Sequence, residues 1–262
     1  MNKVFCRKRL LFSLIFTGYL ILFNTACGLD TFYELYAPDK VNHQPDWESG
    51  TEADFYFDFY TKYNDNPNIR FLGTEVYYKI YKNSSRLKTE KDDLISIANK
   101  DNSSNAAEKL TVTYKFQSLR GAGYDNKAVL IPTSATKIND DDTDVYYDKD
   151  VRIEIRLSDY KGVYYAKILA DGYHIYTNDE YDDSDNPSSY IIPVRNIPKK
   201  LSFTLSNNNL PESGDDDVNM SGASSDNYWY VSMFAVAVGQ DSNYSRVYSN
   251  ILYLGSVRLT VN

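Results

Sequence analysis

The segment that decides the fold is Tyr228-Trp229-Tyr230-Val231-Ser232-Met233-Phe234-Ala235-Val236-Ala237-Val238-Gly239. In a strand, alternate side chains point to opposite faces, so one face carries Trp229, Val231, Met233 and Ala235. Because the opposite face is also mostly apolar, the segment requires a strand on each side and another layer packed across it. The sequence therefore predicts a central strand in a mainly β protein.

Other segments alternate between apolar and polar residues with the same period of two. They predict strands over residues 54–60, 74–81, 110–116, 151–157, 163–170, 191–194, 201–205 and 245–254. One short helix is also predicted, because Thr89 and Asp92 form a capping-box pattern and apolar residues follow at helical spacing. We expect this helix to make about three turns and to end near Lys100.

The last third of the chain resembles a fibronectin type III module. It has a Leu-x-Pro-like corner at Leu210-Pro211-Glu212, then the apolar strand with its Val-Ala-Val, then a serine-flanked final strand from Ser245. The segments 53–60 and 74–81 resemble the second and third strands of such a module. The resemblance implies an immunoglobulin-like sandwich built from 51–82 and 199–262, interrupted by a β-rich insert, 83–198, which is large enough to be a domain.

The beginning of the chain has the features of a secretory signal. Basic residues at Lys3 and 7–9 precede an apolar run of 14 residues, Leu10–Phe23, which is shorter than the ~20 residues of a membrane-spanning helix. Ala26-Cys27 then resembles a bacterial lipoprotein signal, of a relaxed form typical of spirochaetes. The resemblance implies cleavage after residue 26, lipidation of Cys27, and a cell-envelope location. Residues 27–50, which contain Pro38 and Pro45, are predicted to be a tether.

Charge and composition exclude one class of partner. Removal of the four basic residues before Cys27 changes the formal net charge from −8 to −12, and such a surface repels nucleic acid. The only other cysteine, Cys6, lies in the predicted signal, so no disulfide is expected in the mature chain. The 25 tyrosines fit half-buried strand faces, and a stacking surface for sugars or protein partners is the alternative.

The sequence contains no pattern that indicates catalysis. The two histidines, His43 and His174, lack zinc-ligand spacing, and Gly-x-Ser-x-Gly is absent. Calcium is the one metal for which candidate ligands exist, because Asp140, Asp142 and Asp144 alternate in an acidic loop. A solvated loop explains the same residues. Further acidic clusters lie at 179–185 and 215–217. No cofactor other than the lipid is expected.

These observations favour a membrane-tethered binding, adhesion or envelope interaction module without catalytic activity. Two alternatives stay open: a structural envelope component, and a glycan-active enzyme that uses carboxylates. The expected partners are the membrane, through Cys27, and a protein or a glycan. The sequence does not distinguish a periplasmic from a surface-exposed orientation.

Overall fold

The structure is a computed structural model that describes residues 34–100, 105–119, 131–132, 134–136, 144–146, 150–160, 163–168, 190–191, 195, 203, 205, 210–225 and 227–261. Thirteen strands occur in these residues. In chain order they are β1 (Lys40–His43), β2 (Tyr56–Tyr60), β3 (Arg70–Tyr81), β4 (Gln117–Ser118), β5 (Ile131–Pro132), β6 (Ser134–Thr136), β7 (Asp144–Tyr146), β8 (Arg152–Tyr160), β9 (Val163–Ile168), β10 (Tyr190–Ile191), β11 (Val218–Asn219), β12 (Tyr228–Gln240) and β13 (Arg246–Thr260).

Most of the strands form two sheets. Sheet A has the order β1-β2-β8-β9-β10, and all its described pairings are antiparallel. Sheet B is centred on β3 and β12, with β13 on the far side of β12. The other side of β3 pairs in turn with the short strands β5, β4 and β11, of which β11 is parallel to β3. Strands β6 and β7 form a separate antiparallel pair.

The two sheets pack face to face around the larger core. Strand β12 contributes Trp229, Val231, Met233 and Ala235, which confirms that these four side chains share a face. The period of two in the predicted strand 74–81 places Val76, Tyr78 and Ile80 on one face, and all three lie in this core. Sheet A supplies the opposing layer from β2 and β8, namely Phe57, Phe59, Ile153, Ile155 and Leu157. The protein is therefore mainly β, as predicted.

Helices cover the outer face of sheet B. Helix α1 (Ser84–Lys100) begins five residues before the predicted cap at Thr89 and ends at Lys100, as predicted. Asn83 caps it, because its Oδ1 accepts hydrogen bonds from the amides of Ser85 and Arg86. Thr89 instead lies inside the helix, where its hydroxyl donates to the carbonyl of Ser85.

The predicted strand 110–116 is wrong. The chain there forms helix α2 (Asn105–Glu108), which continues as a π-helical turn (Lys109–Thr113), so the described residues contain two α-helices rather than one, besides a short 3-10 helix (Glu52–Asp54). Leu110 is fully buried whereas Val112 is 67% exposed, although a strand would place both on one face. The apolar positions Ala106, Ala107 and Leu110 follow helical spacing instead.

A second core lies between these helices and sheet B. Leu87 and Leu94 of α1 pack there with Ala106, Ala107 and Leu110, against Tyr77, Tyr81, Tyr230, Phe234 and Val236 of the sheet. This explains why β12 is apolar on both faces, since one face meets sheet A and the other meets helices. The architecture of the described residues is therefore three layers: sheet A, sheet B and helices.

Described segments of the predicted tether, sandwich and insert share these layers. Within the predicted insert 83–198, β8 pairs with β2, and β4 and β5 pair with β3. Within the predicted tether 27–50, β1 pairs with β2. Glu34–Asn262 groups as one compact unit. Cross-strand pairing therefore joins segments that lie far apart in the sequence.

Candidate functional site

The candidate site is a cleft between the segment 44–48 and helix α1. Pro45 fixes this segment against the edge of sheet B, because its carbonyl accepts the amide of Ser256 at 2.9 Å. The side chain of Gln44 donates to the carbonyl of Tyr253 at 2.9 Å. Gly255 permits the contact, since a Cβ at this position would lie 2.6 Å from Pro45 Cδ. The segment is therefore docked on β13 by backbone and side-chain bonds.

A tight turn at Asp46 presents the next two side chains. The Asp46 carboxylate accepts the amide of Glu48 at 3.0 Å, and its carbonyl accepts the amide of Gly50 at 2.9 Å. Trp47 is half-buried, and its ring meets Tyr230 in an edge contact with centroids 4.8 Å apart. The turn thus fixes an indole ring whose remaining surface is open to the cleft.

Tyr253 of β13 supplies the second aromatic ring. Its hydroxyl lies 2.5 Å from the Ser256 hydroxyl, and its ring contacts Phe234 with centroids 5.1 Å apart. Burial raises the pKa of Tyr253 to about 12, so the side chain is a neutral phenol at physiological pH. Its position is fixed by packing and hydrogen bonding.

Helix α1 forms the opposite wall of the cleft. Leu87 is buried against sheet B, and this places Lys88 and Lys91 along the rim. The Lys91 ammonium lies 5.8 Å from the centroid of the Tyr253 ring and 3.2 Å from the Asp92 carboxylate. Both lysines can donate hydrogen bonds into the cleft without a change in the helix.

Together these residues enclose a small cleft with a volume of about 210 Å³. It is lined by Gln44, Pro45, Asp46, Trp47, Glu48, Leu87, Lys88, Lys91 and Tyr253. The volume is below the roughly 300–1,000 Å³ of sites for drug-sized ligands, which suits a group the size of one ring. Two ammonium groups and two carboxylates balance in charge, so the lining offers both donors and acceptors without a net field.

A polar cluster beneath α1 stabilises this wall. Glu90 Oε2 accepts from Lys79 Nζ and from the Tyr81 hydroxyl, each at 2.9 Å, and Glu90 Oε1 accepts from Asn219 at 2.8 Å. The Lys79 ammonium also donates to the carbonyl of Tyr114 at 2.6 Å. Burial and the Glu90 charge raise the pKa of Tyr81. We interpret the cluster as the link that holds α1 on sheet B.

The acidic cluster 215–217 is bound by an internal cation. Arg195 is fully buried, and its Nε donates to Asp217 at 2.7 Å. A second guanidinium nitrogen donates to Asp217 at 2.5 Å and to Asp215 at 3.0 Å. The Tyr78 hydroxyl donates to Asp217 at 2.9 Å. Asp217 therefore neutralises an arginine and is not available as a metal ligand.

The residues predicted from sequence lie mostly outside the described part of the chain. These are Ala26, Cys27, Asp140, Asp142 and His174, and only the backbone of Asp144 is described, in β7. His43 is in β1, stacked on Tyr56 with centroids 4.0 Å apart. Among the described residues, no three His, Cys, Asp or Glu side chains are grouped as a metal site. The calcium site at Asp140, Asp142 and Asp144 stays a prediction.

Sequence reasoning missed the cleft because Trp47 falls in the predicted tether. Tryptophan is highly buried on average, so Trp47, two residues after Pro45, is the one signal in the sequence that this segment packs on the body. No local pattern pairs it with Tyr253, which lies more than 200 residues later.

Searches against family models, curated proteins and solved structures found no match. In the portion of the chain that the structure describes, no helix has the length and apolar character needed to cross a membrane.

Proposed function

We propose that this protein is a lipid-anchored binding module of a bacterial envelope, and that its cleft binds one neutral sugar ring of a glycan. The observation that carries the binding site is the fixed pair Trp47 and Tyr253, set among balanced charges. The anchor rests on the signal-like segment and on Cys27.

The lining favours a neutral saccharide over a charged ligand. A pyranose ring has an apolar C–H face that packs on an aromatic ring, and hydroxyl groups around its edge that both donate and accept. Asp46 and Glu48 can accept from these hydroxyls, and Lys88 and Lys91 can donate to them. A charged ligand would meet both signs in the cleft, so its attraction to one pair is offset by repulsion from the other.

The order of the strands supports a relation to fibronectin type III modules. In immunoglobulin-like sandwiches the second strand lies in one sheet, while in the other sheet the third strand pairs with the last-but-one strand, which pairs in turn with the last. Here β2 lies in sheet A, while β3, β12 and β13 are neighbours in sheet B. The helical layer and the short strands that pair with β3, namely β4, β5 and β11, are additions to that plan, as is the pair β9 and β10 in sheet A. The proposed relation to fibronectin type III modules rests on this order of strands alone.

Hydrolysis of the bound glycan is the competing function. Asp46 and Glu48 are two carboxylates in the cleft, but both side chains are exposed and the Asp46 carboxylate accepts the amide of Glu48. A glycosidase acid needs an apolar environment that keeps it protonated near neutral pH. These surroundings favour binding rather than catalysis.

A glycan array probed with the full-length protein in detergent micelles tests the proposal. We expect retention of at least one neutral glycan, and Trp47→Ala should weaken it about tenfold or more. Tyr244→Ala is the matched control, since it removes an exposed aromatic ring away from the cleft. Equal retention by the wild type and Trp47→Ala would contradict the assignment of the cleft. Release of reducing sugar with time would favour the hydrolase.

A further inference from the structure

The described body begins at one end of the sandwich, where the chain is docked from Glu34 onward. The carbonyl of Glu34 accepts the side-chain amide of Asn66 at 3.3 Å. The amide of Tyr36 donates to Asn64 Oδ1 at 2.6 Å, and the Asn64 side chain donates back to the carbonyl of Tyr36 at 3.2 Å. Residues 34–36 are thus bound to the loop that joins β2 to β3.

The hairpin that joins β12 to β13 lies at this same end. Leu35 is buried, and one of its methyl groups lies 3.2 Å from the position of a Cβ on Gly239. Gly239 is next to Gln240, the last residue of β12, which pairs with Arg246 across the hairpin. The N-terminal segment, the β2–β3 loop and the hairpin tip therefore form one surface, which we name the entry end.

Two exposed tyrosines project from the entry end. Tyr36 is 57% exposed and Tyr244, at the hairpin tip, is 80% exposed. Tyr244 has a φ of 65°, a conformation that non-glycine residues seldom adopt. The side chain of Asp241 holds the turn by accepting the amides of Asn243 and Ser245 at 2.9 and 2.8 Å. The turn fixes a phenol ring in an outward position.

The distance to the predicted anchor is short. Seven residue steps separate Cys27 from Glu34, and a fully extended chain of that length spans at most about 25 Å, whatever its conformation. By contrast, β3 alone, with 12 residues, runs about 36 Å away from the entry end. A lipid on Cys27 therefore keeps the entry end, and not the opposite end, close to the bilayer.

Charge at the entry end permits such an approach. The Lys62 ammonium lies 3.3 Å from both Asp39 and Asp150, so it offsets one of their two negative charges. Arg70 and Arg246 add two positive charges here, and Glu34, Asp65 and Asp241 add three negative ones. These groups sum to a formal charge of −2, a minor part of the −8 of the whole chain, so the acidic character of the protein is not concentrated at this surface and repulsion from anionic headgroups is weak.

We propose that the entry end is a membrane-contacting surface on which Tyr36 and Tyr244 lie in the headgroup region of the bilayer. Tyrosine suits this layer because its ring is apolar and its hydroxyl group reaches water. The inference rests on the lipid anchor of the proposed function, but it adds a second contact with the membrane and fixes the orientation of the body.

Nitroxide labels at two matched positions test this orientation in the full-length lipidated protein. Asn243→Cys labels the entry end and Ser221→Cys labels the opposite end. Both residues are exposed, and each lies in a turn where its amide donates at 2.9 Å to a side chain two residues earlier. A thioether-linked Cys27 does not react with the label. The protein is placed in vesicles of phosphatidylethanolamine and phosphatidylglycerol.

We expect the Asn243 label to collide more with lipid-soluble oxygen than with a water-soluble nickel chelate, and the Ser221 label to show the reverse. Adding Tyr36→Ser and Tyr244→Ser should shift the Asn243 label toward the behaviour of the Ser221 label. Equal behaviour of the two labels, or no shift in the double-serine variant, would overturn this inference even if palmitate is incorporated at Cys27. Failure of palmitate incorporation would overturn the anchor and, with it, this inference.

Discussion

Gly255 and Pro45 lie so close together that no side chain fits between them. A Cβ on Gly255 would lie 2.6 Å from Pro45 Cδ and 2.8 Å from the Pro45 carbonyl oxygen, and Gly255 has a φ of 128°. Both facts require glycine, since other residues rarely adopt this φ and backbone atoms cannot move aside cheaply. The contact fixes one wall of the cleft.

Gly255→Ala should therefore release the segment 44–48 and lower the free energy of unfolding by about 2 kcal/mol or more. Trp47 would become more exposed, which intrinsic fluorescence reports because the only other tryptophan, Trp229, is buried. The matched control is Gly214→Ala, where a Cβ would meet nothing within 4 Å. Equal melting temperatures for the two variants would contradict the packing role of Gly255.

Glu90→Gln should weaken the attachment of α1 to sheet B. The Lys79 and Glu90 side chains are only 10% and 12% exposed, so the change leaves a nearly buried ammonium without its carboxylate. We expect a loss of about 2–3 kcal/mol in the free energy of unfolding, measured by denaturant titration. Asp92→Asn, which removes the carboxylate of an exposed pair on the same helix, should cost less than about 0.5 kcal/mol. If Glu90→Gln lost no more free energy of unfolding than Asp92→Asn, the polar cluster around Glu90 would not hold α1 on sheet B.

Stability should fall in alkali as Tyr253 ionises. Its pKa is raised by burial from 10.0 to about 12, so the unfolded chain loses the proton first and gains stability relative to the folded state. The stability that depends on the neutral Tyr253 phenol is fully present below pH 10 and is lost as the pH rises to about 12. Tyr253→Phe should make the fall in melting temperature over this range shallower. If the melting temperature of Tyr253→Phe fell with pH as steeply as that of the wild type, Tyr253 would not be the group that lowers stability in alkali.

The centre of sheet B should not tolerate a charge. Val231 is fully buried between the sheets, so Val231→Asp places a carboxylate without a partner in the core and should unfold the body. Val112→Asp, at a position 67% exposed, should change the free energy of unfolding by no more than about 0.5 kcal/mol. Circular dichroism distinguishes the two. A folded Val231→Asp protein would mean that this face of β12 is not a core.

The sequence predicted the parts of the fold that depend on local alternation. The faces of β3, β8 and β12 follow directly from period-two patterns, because a buried strand face must be apolar whatever lies across from it. The same pattern failed at Leu110, Val112, Tyr114 and Phe116, where it is equally compatible with a helix followed by a turn. The helix forms there because the apolar outer face of sheet B must be covered. That face is built from residues far away in the chain, so the local pattern does not show it.

The cleft could not be predicted for a similar reason. Trp47 and Tyr253 come together because Pro45 bonds to Ser256 beside a glycine of unusual conformation, and no periodicity links two segments more than 200 residues apart. The predicted start of α1 was also wrong, by five residues. The Thr89–Asp92 pattern resembles a cap, but Asn83 makes the actual capping bonds. Both residues are acceptable caps by sequence, and the packing of the helix on sheet B determines which one is used.

The docking of Pro45 also affects how this protein meets other copies of itself. Among the described strands, β13 is the last on its side of sheet B, and a long edge strand invites another chain to extend the ladder. At Ser256 the outward amide is already bonded to Pro45, and at Tyr253 the carbonyl is bonded to Gln44. Proline has no amide hydrogen with which to continue the pairing. The segment that shapes the cleft thus also closes part of an edge at which molecules would otherwise aggregate.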